Sequence, residues 1–88
     1  MLSQTVLVTN KIGLHARPLA LLIEKSKNYT CTIEVSKGNS KTDLRSIVGM
    51  MKLQVKMGDE VTIHADGDGE EDAIKELVAL IESKFGEE

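Results

Sequence analysis

Tryptophan is absent from this chain, and Tyr29 and Phe85 are its only aromatic side chains. That scarcity argues against recognition by base stacking or by an aromatic ligand cage. Net positive charge is missing too. The formal charge is −3, whereas nucleic-acid binding needs a basic surface that displaces counterions. Cys31 is the single cysteine, so no intramolecular disulfide can form, and a buried reduced thiol is expected. No run approaches the ~18 apolar residues of a membrane span, and Met1-Leu2-Ser3-Gln4 does not read as a signal peptide. A cytoplasmic protein without membrane insertion is expected.

What is present suits one small folded domain over residues 1–88, with a hydrophobic fraction of 41%. Such a chain buries one compact apolar layer and cannot enclose a deep substrate cavity. Charge is segregated along it. Asp66 to Asp72 and Glu87-Glu88 carry the negative excess, while Lys11, Arg17, Lys25 and Lys27 face only Glu24 in the segment around His15.

Periodicity predicts a strand over Gln4 to Thr9, then a helix from Ala16 to about Lys27 whose Leu19, Leu22, Ile23 and Ser26 make one stripe. Cys31 to Lys37 alternates as a half-buried strand, and Gly38-Asn39-Ser40 turns into a short strand over Lys41 to Leu44. Ile47 to Leu53 reads as a short apolar helix with Ser46 as its N-cap. Lys56 to Asp59 turns the chain into a strand over Glu60 to Ala65. A last helix runs from about Glu70 to Lys84, acidic in its first turn as the helix dipole prefers, with Ala73, Ile74, Leu77, Leu80 and Ile81 apolar. The order β-α-β-β-α-β-α, with one apolar face per strand, implies an α+β fold: an antiparallel sheet covered on one side.

Gly13-Leu14-His15-Ala16-Arg17-Pro18 is the segment that carries chemistry. A histidine just ahead of a helix faces the first backbone N–H groups of that helix, which with the dipole form an anion site. Pro18 has no N–H, so Ala16 and Arg17 are the expected backbone donors, and the Arg17 guanidinium suits phosphate oxygens. A neutral imidazole is a competent nucleophile near neutral pH. The combination fits transient carriage of a phosphoryl group. A lone histidine before a helix is commonly a cap or a surface residue, so these residues need support from the rest of the chain.

Other features read as structure. Asp66-Gly67-Asp68-Gly69-Glu70 fails as a calcium loop, because Glu71 and Leu77 stand where glycine and glutamate are required. His64 has no second ligand in its strand, and no metal or other cofactor is expected. Ser36, Ser40 and Ser83 lack a nucleophile-elbow pattern, and Arg45 before Ser46 argues against an acyl carrier. A helix as short as 47–53 cannot bury Ile47, Val48, Met50 and Met51 together, so Val48 and Met51 are expected to be exposed as a docking patch.

The hexapeptide at 13–18 resembles the phosphorylation signature of HPr, the histidine-containing phosphocarrier of the bacterial sugar phosphotransferase system. Leu44-Arg45-Ser46-Ile47-Val48-Gly49-Met50-Met51-Lys52-Leu53 is similar to that family's regulatory serine segment, and the resemblance spans the whole chain. It implies an open-faced β-sandwich, a four-stranded antiparallel sheet with three helices on one face. It implies that His15 accepts a phosphoryl group from enzyme I and donates it to enzyme IIA domains, with Arg17 and the Ala16 and Arg17 backbone binding the phosphate. Ala20, Ile47, Val48 and Met51 would dock partners. Ser46 would be the site of a serine kinase and phosphorylase, and its phosphorylated form could engage a catabolite control protein. The protein is expected to be a monomer and a carrier, not an enzyme. Ile12 replaces a common small hydroxyl or amide residue, Val48 a frequent Met or Phe, and Lys52 and Gln54 frequent small residues. These departures bear on which partners are served and admit a paralogue acting mainly through phospho-Ser46.

Overall fold

Strand alternation sets the architecture. In the computed structural model, which describes residues 1–86, β1 (Leu2–Leu7), β2 (Thr32–Lys37), β3 (Ser40–Asp43) and β4 (Glu60–Asp66) form one sheet in the order β1-β4-β2-β3. Glu87 and Glu88, part of the acidic excess read from the sequence, lie outside the described residues. All strand pairs are antiparallel. Val6 lies opposite Val61, and Ile63 opposite Val35, so one face is lined by buried aliphatic side chains. The other face is polar: the Thr5 and Thr62 hydroxyls meet at 2.8 Å, and Ser36 Oγ lies 3.0 Å from His64 Nε2.

Helices α1 (Ala16–Ser26), α2 (Ile47–Leu53) and α3 (Glu70–Glu82) cover the apolar face, which is the open-faced sandwich that the element order implied. Leu19 and Leu22 of α1, Met50 and Leu53 of α2, and Ile74, Leu77 and Ile81 of α3 all enter the core. Each such side chain contributes about 1.5–3 kcal/mol by leaving water. Cys31 is buried among them, as expected of a lone thiol.

Several boundaries differ from the sequence pattern, and those of β1, β3 and α3 have a tertiary reason. β1 starts at Leu2 and stops at Leu7, because its ladder with β4 runs from Leu2 opposite Ala65 to Leu7 opposite Glu60. β3 ends at Asp43, since Leu44 turns into the core while its N–H donates to Ile33 O at 3.0 Å. α3 ends at Glu82: Lys84 and Phe85 take φ values of 59° and 58°, and the reversal folds the Phe85 ring into the core. Leu80 is only half-buried, and Val78 takes the place expected for it on the inner stripe.

Candidate functional site

The residues before α1 form a braced loop. Gly13 N–H donates to Asn10 O at 3.1 Å, and the buried Asn10 Nδ2 returns to Gly13 O at 2.7 Å. Leu14 N–H then donates to Val55 O at 3.1 Å, joining the loop to the segment that leaves α2. The approach is close enough to require glycine. At φ +75°, a Cβ on Gly13 would lie 2.5 Å from Val55 O and 2.8 Å from Lys56 Cα.

His15 follows as the N-cap of α1, with extended backbone at φ −85° and ψ −169° and its carbonyl accepting from Leu19 N–H at 3.1 Å. Its side chain is half-buried and makes no capping hydrogen bond. Ala16 and Arg17 occupy the first helical positions, so their N–H groups point out of the positive end of the helix. Pro18 sits in that first turn, buried, where its missing N–H has no effect on the ladder. The Arg17 guanidinium reaches the turn at the end of the chain, where Nη2 would stand 3.9 Å from a Cβ on Gly86.

Helix α2 presents a second set of candidate residues. Ser46 caps it, with Oγ accepting from Gly49 N–H at 3.1 Å, and the serine itself is exposed. Ile47, Val48 and Met51 are 47%, 60% and 61% exposed, while Met50 and Leu53 fill the core. The division expected for a short apolar helix is therefore realised. Ala20 on α1 is exposed as well, and α1 packs against α2. Ile12, in the loop that precedes His15, is an exposed apolar side chain as well. His64 stands apart on the open sheet face, and no group of three metal-ligating side chains occurs among the described residues.

Two cations that sequence reasoning passed over hold this arrangement in place. Arg45 donates to Ser26 O and Tyr29 O at 2.8 Å each and to Cys31 O at 3.2 Å, tying the start of α2 to the C-terminal end of α1. Lys37 Nζ donates to Leu53 O at 3.1 Å and to Gln54 O at 2.8 Å, and it pairs with Asp59 at 3.0 Å. The Lys56 N–H and the Lys37 ammonium together hold the Asp59 carboxyl below the usual carboxylate range. On the far side, the Tyr29 hydroxyl donates to Glu76, and this bond, with some burial, pushes the phenol up to about 12. No local pattern announces the Arg45 and Lys37 contacts, since their partners are 14 or more residues away in sequence.

The family described as PTS HPr component phosphorylation site matches residues 2–83. The phosphocarrier protein HPr of Cupriavidus necator is 38% identical over 87 residues, covering 99% of this chain and 98% of that one. The HPr-like protein Crh of Bacillus subtilis is 37% identical over 84 residues, covering 96% and 99%. A crystal structure of HPr from Thermoanaerobacter tengcongensis superposes with a TM-score of 0.96 at 50% identity, covering 100% of this chain and 99% of that one. Solved structures of the Thermoanaerobacter protein and of Crh also include dimers.

Proposed function

Because this chain belongs to the HPr phosphocarrier family, we propose that it accepts a phosphoryl group on His15 from phosphorylated enzyme I and donates it to enzyme IIA domains of sugar permeases. The observation that supports this most is the position of His15 as N-cap of α1, at the positive end of a helix whose first N–H groups belong to Ala16 and Arg17. An unprotonated imidazole nitrogen attacks phosphorus, and the new N–P bond forms as the bond to the donor breaks. The other ring nitrogen keeps its proton. The arriving charge meets the helix dipole and the two backbone donors, which favour an anion there. Arg17 lies at the second helical position, and leaving its place beside Gly86 lets its guanidinium meet the phosphoryl oxygens. Exposed Ile47, Val48 and Met51, with Ala20, form the surface on which partners seat.

Ser46 adds a regulatory site to this reading. Its exposed hydroxyl lies in the same helix as the docking side chains, so a phosphate there places charge inside the partner surface. A serine kinase and phosphorylase would set that charge. Similarity to Crh supports a second reading, a regulatory paralogue acting through phospho-Ser46 on a catabolite control protein. His15 favours the carrier, since a purely regulatory copy has no use for the nucleophile. The working state is a cytoplasmic monomer, which keeps the α2 patch open. Light scattering reads that state directly against the dimers seen for its relatives. With enzyme I and phosphoenolpyruvate the chain should gain one acid-labile, base-stable phosphoryl group, and His15→Ala should gain none. Acid-labile phosphate on the variant, for instance at His64, would refute the assignment.

A further inference from the structure

The loop that presents His15 is not held by its own Asn10–Gly13 bonds alone. It hangs from residues 53–59 through three backbone links: Leu14 N–H to Val55 O at 3.1 Å, Gly58 N–H to Val8 O at 2.8 Å, and Val8 N–H to Asp59 O at 2.9 Å. Gly13 lies against Val55 and Lys56 with no room for a side chain. The position of His15 is therefore inherited from the shape of 53–59.

That shape is irregular. α2 stops at Gln54 in the left-handed region, φ 52° and ψ 53°, which leaves its last carbonyls without helical partners. Asp59 closes the other end, its carboxylate accepting from Lys56 N–H at 2.8 Å and its own N–H donating to Lys56 O at 3.0 Å. One side chain joins the two ends. The Lys37 ammonium has three N–H donors, and its three acceptors are Leu53 O, Gln54 O and the Asp59 carboxylate. Lys37 is the last residue of β2, so this grip is anchored in the sheet. The Lys37 side chain is 30% exposed, and its ammonium is committed to these three acceptors.

We propose that Lys37 is a positioning residue for phosphotransfer, gripping both ends of segment 53–59 so that the segment holds the His15 loop in register. The proposal rests on His15 being the phosphoryl carrier. Lys37 reaches the chemistry only through backbone, by way of Val55 O and Leu14 N–H. Its loss should loosen the loop while leaving the sheet and the docking surface of α2 as they are.

The test compares Lys37→Met with Lys41→Met, which removes a like charge from the same hairpin but only a 3.6 Å pair with Glu34. Amide hydrogen exchange on the unphosphorylated protein reads the grip without any partner. Lys37→Met should speed exchange at Leu14 N–H at least tenfold and leave the β4 amides at wild-type rates. Steady-state phosphorylation by enzyme I should then show kcat down about fivefold with little change in KM. Lys37→Arg, which keeps a cationic donor, should recover part of both effects, and Lys41→Met should show neither. Wild-type exchange at Leu14 in Lys37→Met would overturn the proposal, and so would faster exchange with an unchanged kcat. A wild-type chain that takes no phosphoryl group would instead overturn the underlying carrier reading, and that appears in the wild-type reaction before any variant is compared.

Discussion

Replacing Gly13 with alanine tests whether the His15 loop must lie as close to 55–56 as the structure has it. The new Cβ would fall 2.5 Å from Val55 O, and relief to ordinary contact requires the chains to part by about 1 Å. Alanine at φ +75° costs roughly 1–2 kcal/mol on its own. Parting the chains also breaks the Leu14 N–H to Val55 O bond, worth about 1 kcal/mol net. The sum is ~2–3 kcal/mol, which lowers the melting temperature of a chain this size by about 10–20 °C. A 1 Å displacement of a reacting group slows its chemistry by up to about a hundredfold, so phosphorylation by enzyme I should fall roughly 10- to 100-fold. Gly38→Ala provides the control, because Gly38 has φ +60° but nothing within 4 Å of an added Cβ. It should carry the backbone cost alone, ~1–2 kcal/mol, and leave the rate untouched. Rapid-quench phosphorylation and thermal melts of both variants decide the matter. If Gly13→Ala phosphorylates at the wild-type rate, or Gly38→Ala slows to match it, close support of the loop is not what positions His15.

Arg17→Ala should slow phosphotransfer about 10- to 100-fold, the loss of one charge-assisted hydrogen bond of ~1.5–3 kcal/mol to the transferring group; an unaltered rate removes Arg17 from the mechanism. Met51→Asp or Val48→Asp should weaken enzyme I binding, read by calorimetry, with a melting temperature within a few degrees of wild type, because both side chains are mostly exposed. Ser46→Asp should keep the fold, since an anion suits the N-terminal end of α2, and should slow His15 phosphorylation at least tenfold. Equal rates would leave Ser46 an ordinary helix cap.

The sequence made the layers legible because their cause is local. Alternation in 60–65 and the stripe at 73, 74, 77 and 81 each name a buried face without reference to any other element. α2 was readable to the residue, since Ser46 starts it and Leu53 is its last apolar position. His15 could be placed at a helix end because Gly13 and Pro18 bracket that boundary. Boundaries set by pairing were not legible: β1 ends at Leu7 only because β4 begins opposite it at Glu60. The reversal at Lys84 and Phe85 depends on the core that receives the ring. Lys37 and Arg45 were unreadable for a related reason. A lysine at a strand end and an arginine before a cap are unremarkable until the fold brings carbonyls from distant turns to meet them.

Carriage means that the phosphoryl group leaves as readily as it arrives. The chain should be labelled from radioactive phosphoenolpyruvate through enzyme I, freed of enzyme I, and mixed with an enzyme IIA domain while label is followed on both proteins. Label should leave the peptide containing His15 and appear on the enzyme IIA domain within seconds, with little inorganic phosphate released. Label that stays on this chain, or that departs only as inorganic phosphate, would contradict its role as a phosphocarrier.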